Sequence, residues 1–441
     1  MSSNTDKVML QGQDAVDLWL QGRDAWNEWV KTHPEADVDF SAVTFRPVNK
    51  HNGMSAADYP FAGFHFPNGD ISFNNTNFHG DNISFSGARF GTGKVSFNRA
   101  HFPTRHISFI RTDFNVGDVI FSGVNFYEAN IDFSGAKFGM GDVSFTGAHF
   151  GEGNVNFTSA TLGNGDYEFK NVDFNGRAIF ANLKNTKRVK NFSFQYSAFN
   201  KSFELSSVEP FGCVVDLTRT KTTHQVSLEG LKVTLRKDDD PPIAHFTEGL
   251  HAKTLPKRLV LRFCRWLLER GWLTKTKACN LADIERLRRL KELSGNNKDH
   301  KQALNYYVME MEAAHWHETT SCSALILELL FKKLSDYGRS ELRPIGWMFA
   351  TWLFFSGLYA ACSNAANKCF EVIIPAALTF SAGQMFSLIP SSRDARADGA
   401  EILFIGEQLP DAIFIFTFMQ SLFAILLLFL LGLSLRNRFR V

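Results

Sequence analysis

A phenylalanine recurs at every twelfth position: Phe61, Phe73, Phe85, Phe97, Phe109, Phe121, Phe133, Phe145, Phe157 and Phe169. A second file runs five positions behind, at Phe66, Phe78, Phe90, Phe102, Phe114, Phe126, Phe138, Phe150, Leu162 and Phe174. Such spacing means one structural unit stacked on copies of itself. Two positions before each first-file Phe stands an aliphatic: Ile71, Ile83, Val95, Ile107, Val119, Ile131, Val143 and Val155. Two before the second file stands a small or short residue: Thr76, Ala88, Ala100, Thr112, Val124, Ala136, Ala148 and Ala160. Alternation over two positions is strand-like, so both members of each pair face a common core. The expected core is Phe73, Phe78, Phe85, Phe90, Phe97, Phe102, Phe109, Phe114, Phe121, Phe126, Phe133, Phe138, Phe145 and Phe150.

Spacings of five within a pair and seven between pairs predict two five-residue faces and two corner residues. Gly91/Gly93, Gly139/Gly141, Gly151/Gly153 and Gly163/Gly165 fall at those corners, where glycine is read as supplying positive φ. A coil of one repeat is too narrow to enclose two rings, so two repeats per turn, about 24 residues, are expected. Rings would then stack at the strand spacing of about 4.8 Å. A rod of this kind has no cleft of its own. Function then comes from its surface or from what it carries.

Residues 14–30 place Val16, Trp19, Leu20, Trp26, Trp29 and Val30 on one helical face, with Asp14 to cap the start and Pro34 to stop it. A helix just before a stack is expected to cover its open end. The repeats and this leader resemble the pentapeptide-repeat family, whose members form right-handed quadrilateral β-helices with Phe or Leu at the central inward position. The chain departs from that family by two extra residues per pair. The resemblance implies a capping helix at 1–37 and a β-helix at 38–237. After Phe174 the register loosens through Phe194, Phe199, Leu217, Leu228 and Leu235 towards a linker at Asp238-Asp239-Asp240-Pro241-Pro242. Some family members imitate DNA and bind topoisomerases. A mimic needs dense acidic stripes, whereas Phe61 to Ala178 holds 11 acidic and 8 basic side chains. With a net charge of +2 over 441 residues, no nucleic-acid partner is expected. The GTGK at Gly91–Lys94 lacks the following Ser/Thr of a phosphate loop and reads as a corner.

A helical connector is expected at 243–340. Its first part, 255–273, is basic and amphipathic around Trp266, which suits either an anionic membrane surface or packing on the next helices. Residues 281–294 and 299–317 predict an antiparallel helix pair broken at Gly295-Asn296-Asn297. Glu310, Glu312, His315 and His317 lack the spacing of a two-His zinc helix, so no metal is expected. No nucleophile–base arrangement stands out, and neither enzyme activity nor a cofactor is expected. The 6 Cys show no metal-type spacing, and no apolar leader follows the polar Met1–Lys7.

The last segment, 341–441, reads as an α-helical transmembrane domain. Residues 344–363 and 412–435 are each long and apolar enough to span a bilayer. Lys332, Lys333, Arg339 and Arg343 precede the first and Arg436, Arg438 and Arg440 follow the second. Between the spans stand 3 Lys/Arg and 6 Asp/Glu, so both termini are expected in the cytoplasm. Residues 372–390 are short for a crossing, and a full crossing would put the closing Arg cluster outside, so a re-entrant segment is expected. Two spans around a dipping segment is the plan of a pore, which needs several copies.

Gly346, Ala350, Gly357 and Ala361 form a small-residue stripe, and Thr417, Gln420, Ser421 and Ala424 a polar one. The pore-lining candidates are Thr379, Ser381, Gln384, Ser387, Thr417, Gln420 and Ser421. Asp394, Asp398, Glu401 and Glu407 lie in a loop reading, either as an acidic mouth or as solvated side chains. Cys362 and Cys369 are expected on the outer side, where a disulfide is one option. No TVGYG-type filter stands in 372–410.

SDYGRSELRP at Ser335–Pro344 and the closing LSLRNRFRV resemble elements of bacterial pentapeptide-repeat proteins fused to a two-helix ion-channel-like domain. The resemblance implies an inner-membrane, multi-pass homo-oligomer of four or five copies with a cytoplasmic β-helix as sensor or platform for a protein partner. The alternative is a membrane-anchored β-helix scaffold that does not conduct.

Overall fold

A computed structural model describes residues 7–46, 58–238, 276–317, 322–363, 370–387, 389–404 and 411–439, with residues 262, 265–267 and 270. They fall into two compact units, Met1–Asp238 with Lys277–Ala314, and Asp239–Thr276 with His315–Val441.

The first unit is a stack of short parallel strands. Ile71 pairs with Val95, Val95 with Val119 and Val119 with Val143, so the chain returns to the same ladder after every second repeat. Ile83, Ile107, Ile131 and Val155 make a second ladder. A third joins His149–Phe150 to Asp173–Phe174 and Ala198–Phe199. Isolated bridges from His65 through Arg89, Asp113 and Lys137 to Thr161 mark a fourth.

All fourteen expected core phenylalanines are buried, and so are the aliphatic and small residues two positions before them. Rings two repeats apart lie nearly parallel: Phe73 on Phe97 at 4.7 Å, Phe97 on Phe121 at 4.8 Å, Phe85 on Phe109 at 5.0 Å. First-file neighbours one repeat apart meet edge to face, as Phe73 and Phe85 do at 5.7 Å and 83°. Both geometries suit the ring quadrupole. Where Thr replaces Ala inside, its hydroxyl donates to a backbone carbonyl: Thr76 to Phe40 and Thr112 to Phe85, each at 2.7 Å. The buried oxygen therefore carries no unpaired cost.

The corner glycines work differently from the sequence reading. None of Gly91, Gly93, Gly139, Gly141, Gly151, Gly153, Gly163 or Gly165 has positive φ. A Cβ on Gly139 would overlap the Asn115 carbonyl, and one on Gly163 the carbonyl of Gly139. Each corner rests on the corner two repeats earlier, and backbone contact leaves no room for a side chain. Positive φ falls instead two positions after the first-file Phe, at Gly123, Gly135 and Gly147 and at Asn75 and Arg99.

The N-terminal helix is two helices, α1 (Gly12–Leu20) and α2 (Arg23–Thr32). Gly22 at φ +94° separates them, which resets the helical phase. Trp19 and Trp26 are buried while Leu20 is exposed. Gln11, not Asp14, holds the cap position. Trp26 stacks on Phe40 at 5.8 Å and donates its indole N–H to the His65 carbonyl at 2.8 Å, covering the first rings.

At the far end the returns become irregular. Val155 pairs with Ala178, one position short of two repeats, and Tyr167 with Phe192, one position beyond. Helices α3 (Ala282–Asn296) and α4 (His300–Ala314) follow. Ile284, Leu287, Leu290, Leu293 and Tyr306 join the core of the Phe stack, so this pair closes its second end rather than standing in a separate connector. Arg286 bridges Asp216 and Asp283, each at 3.2 Å. Residues 239–242 of the expected linker lie outside the described residues, as do most of 255–273; there Trp266 is exposed and Leu267 buried.

The second unit is helical. It comprises α5 (Cys322–Ser335), α6 (Leu342–Ala361), α7 (Phe370–Met385), α8 (Ser392–Leu403) and α9 (Asp411–Arg438).

Candidate functional site

Among the described residues, one helix, Ile413–Arg438 within α9, is long and apolar enough to cross a membrane by length and composition. Helix α6, interrupted by Trp347, Thr351, Trp352, Ser356 and Gly357, falls short of that measure. Both helices nevertheless present large apolar side chains outward. Phe354 is 67% exposed on α6, and Phe418 and Phe429 are 64% and 67% exposed on α9. Leu353, Phe349, Ile415 and Leu422 share those outer faces. In water such surfaces cost free energy in proportion to their area; in lipid they cost nothing.

The expected re-entrant stretch is a helical hairpin. α7 remains helical through Pro375, which lies within its first two turns. The chain turns after Met385, and α8 returns along α7. Glycines bring the two legs together: a Cβ on Gly383 would press on the Arg396 stem at 2.7 Å, and one on Gly399 on Phe380 at 2.8 Å. Asp394, Asp398 and Glu401, expected in a loop, thus stand on a helix. Its signal was a small or apolar face, Ser392, Gly399 and Leu403, hidden among charges.

Polar bonds fix the level of this hairpin along α6. Trp352, midway along α6, donates from its indole to the Leu378 carbonyl at 2.9 Å, and Ser381 donates to the Trp352 carbonyl at 2.9 Å. Gln420 of α9 donates to the Ser381 hydroxyl at 2.8 Å and accepts from the Tyr359 hydroxyl at 2.8 Å. At the other end Ser363 donates to the Leu403 carbonyl at 2.8 Å. α7 therefore reaches past the middle of α6 before the chain turns, and α8 climbs back to its end.

The seven candidate lining residues divide. Ser381 and Gln420 are fully buried within one copy, and Gln384 and Thr417 are nearly so. Ser421 donates to the Gln384 carbonyl at 3.3 Å, and Thr417 to its own helix at Phe414. Thr379 is exposed and Ser387 half-buried. The polar stripe of α9 therefore ties α6, α7 and α9 together inside one chain. The small-residue stripe of α6 does the reverse: Gly346, Ala350, Gly357 and Ala361 are all exposed, and nothing stands within 4 Å of a Cβ at Gly346 or Gly357. Cys362 is a free thiol; Cys369 and Glu407 lie outside the described residues.

The two motifs quoted from either end of this unit meet. Asn437 donates to the Gly338 carbonyl at 3.1 Å, and Arg438 pairs with Glu341. Gly338, at φ +78°, lets the 335–343 turn press against the last turn of α9. Asp336 holds Arg339 at 2.7 Å and Arg343 at 3.4 Å. Behind the turn lies a buried relay: Tyr337 donates to Glu328 at 2.9 Å, and Glu328 contacts His315 Nδ1 at 2.9 Å. Glu310 is held by Arg288 and Lys291, and Glu312 by Lys237, so each neighbour in that acidic and His-bearing stretch has a protein partner.

No protein-family model, curated protein sequence or solved structure matches this chain.

Proposed function

We propose that the protein is an oligomeric pore of a bacterial inner membrane, with the Phe stack as a cytoplasmic β-helix that serves as sensor or interaction platform. The stack reads as a right-handed quadrilateral β-helix of pentapeptide-repeat type, its turn lengthened to the two-repeat return of the ladders. In the membrane α6 and α9 cross as a hairpin. The outward Phe, Leu and Ile of α6 support a crossing that its average composition alone does not. Trp347 and Trp352 lower that average, although Trp is at home near membrane interfaces.

The observation that carries the reading is the α7–α8 hairpin, which reaches the middle of α6 and turns back. A plain anchor has no use for such an element, because backbone and polar groups at that depth need protein or water around them. Lys332, Lys333, Arg339 and Arg343 before α6 or at its start, and Arg436 and Arg438 at the end of α9, support a cytoplasmic side for both ends of the hairpin of spans. A single copy has too few helices to surround a channel, so several copies assemble about an axis.

The test is current across planar bilayers containing the purified chain. Discrete conductance steps are expected. Silence under every voltage, pH and osmotic condition favours a membrane-anchored scaffold instead.

A further inference from the structure

The face of α8 turned away from α7 is charged, and its level along α6 decides what it can meet. Arg393, Asp394, Ala397, Asp398 and Glu401 fall on one side of this helix and are all exposed. The opposite side, Ser392, Gly399 and Leu403, is buried on α7. Ser392 and Arg396 stand beside Gly383, two positions from the Ser381 that bonds Trp352 at mid-α6. Leu403 stands beside Ser363 at the helix end. The charged row thus runs from the middle of α6 to its end.

If α6 and α9 cross the bilayer, this row lies within the outer half of the hydrocarbon layer. A charged side chain facing lipid there is costly, and such groups turn instead to protein partners or water. Several such charges on one exposed helix face would expel the hairpin from the membrane. Lipid contact is already taken by the apolar sides of α6 and α9. The remaining environment at that depth is water enclosed between copies of the chain.

We propose that this face of α8, and not the polar stripe of α9, lines the outer half of the pore and biases it towards cations. The inference rests on the pore reading above and deepens it. Asp394, Asp398 and Glu401 outnumber Arg393 on the face. Repeated around an axis, the carboxylates form rings that raise the local concentration of cations. Arg393, at the deep end, acts against them. Ser381 and Gln420 hold the hairpin at its level without touching the ions.

The experiment is a reversal-potential measurement on the full chain in planar bilayers under a potassium chloride gradient. Asp398→Asn with Glu401→Gln should lower the cation-to-anion permeability ratio by about threefold or more. Arg393→Gln should raise it. In parallel, Ala397→Cys should make the current sensitive to a positively charged, water-soluble methanethiosulfonate reagent added from the outer side. Phe418→Cys, on the outward apolar face of α9, should not, and wild type gives the background from the native cysteines. A current that ignores both the charge changes and the reagent at position 397 overturns the lining by α8 while leaving the pore standing. A silent wild type overturns the pore and this inference together.

Discussion

Phe109 and Phe354 carry the same side chain and end in opposite surroundings. Phe109 lies fully buried between Phe85 at 5.0 Å and Phe133 at 4.7 Å, partners supplied by its own chain. Phe354 is 67% exposed on α6. In the regular part of the stack inward positions meet their counterparts two repeats away, and helices of the same chain cover the ends, so the core is complete in one copy. In the helical unit one copy satisfies its polar groups, through Tyr359, Gln420 and Ser381, but leaves apolar and charged faces uncovered. The first region is finished by repetition, whereas on the proposed reading the second is finished by lipid, water and further copies.

This contrast is sharpest under truncation. Phe109→Ala should cost about 3–5 kcal/mol, read as a lowered denaturation midpoint of the β-sheet circular dichroism signal. Phe354→Ala should leave that midpoint unmoved and shift only the protein's behaviour in lipid. Equal losses at both positions would break the comparison. Next come the glycines. Gly139→Ala forces its new Cβ onto the Asn115 carbonyl and should destabilise by about 1–3 kcal/mol. Gly357→Ala meets nothing within 4 Å in one copy and removes a helix-weakening glycine. It should leave the fold of a single copy intact and weaken association between copies, measured by cross-linking yield in vesicles.

The same comparison explains what could be read from the letters. The Phe files were legible because a strict twelfth-position spacing admits few structures, and the two-repeat return followed from ring size. The role of Gly139 was misread because glycine answers two demands, positive φ and close approach, and spacing does not separate them. Gly22 was overlooked within one apolar face and splits α1 from α2. In the helical unit the polar residues of α9 were visible, but their partners were not. Gln420 points to Ser381 across 39 positions of chain, a pairing no periodicity announces. Helix α8 was hidden because SRDARADGAEIL looks like a solvated loop until Gly399 is seen against Phe380.

A smaller effect separates holding from lining. Gln420→Leu loses the bonds to Tyr359 and Ser381 and should cost about 1 kcal/mol of helical-unit stability. Its reversal potential should match wild type, whereas a shifted one would return Gln420 to the pore wall. The smallest effect is chemical. Burial pushes the Cys213 thiol up to about 12, so at pH 8 it should resist maleimide in the folded protein and react once urea opens the stack. Fast labelling of the native protein would mean that the last coils are open.

The number of chains in one particle, measured by native mass spectrometry of the full-length protein released from lipid nanodiscs, bears most directly on the claim that copies complete the helical unit. Several chains per particle are expected, with the charged row of α8 enclosed among them. A particle holding a single chain at every protein and lipid ratio would contradict it.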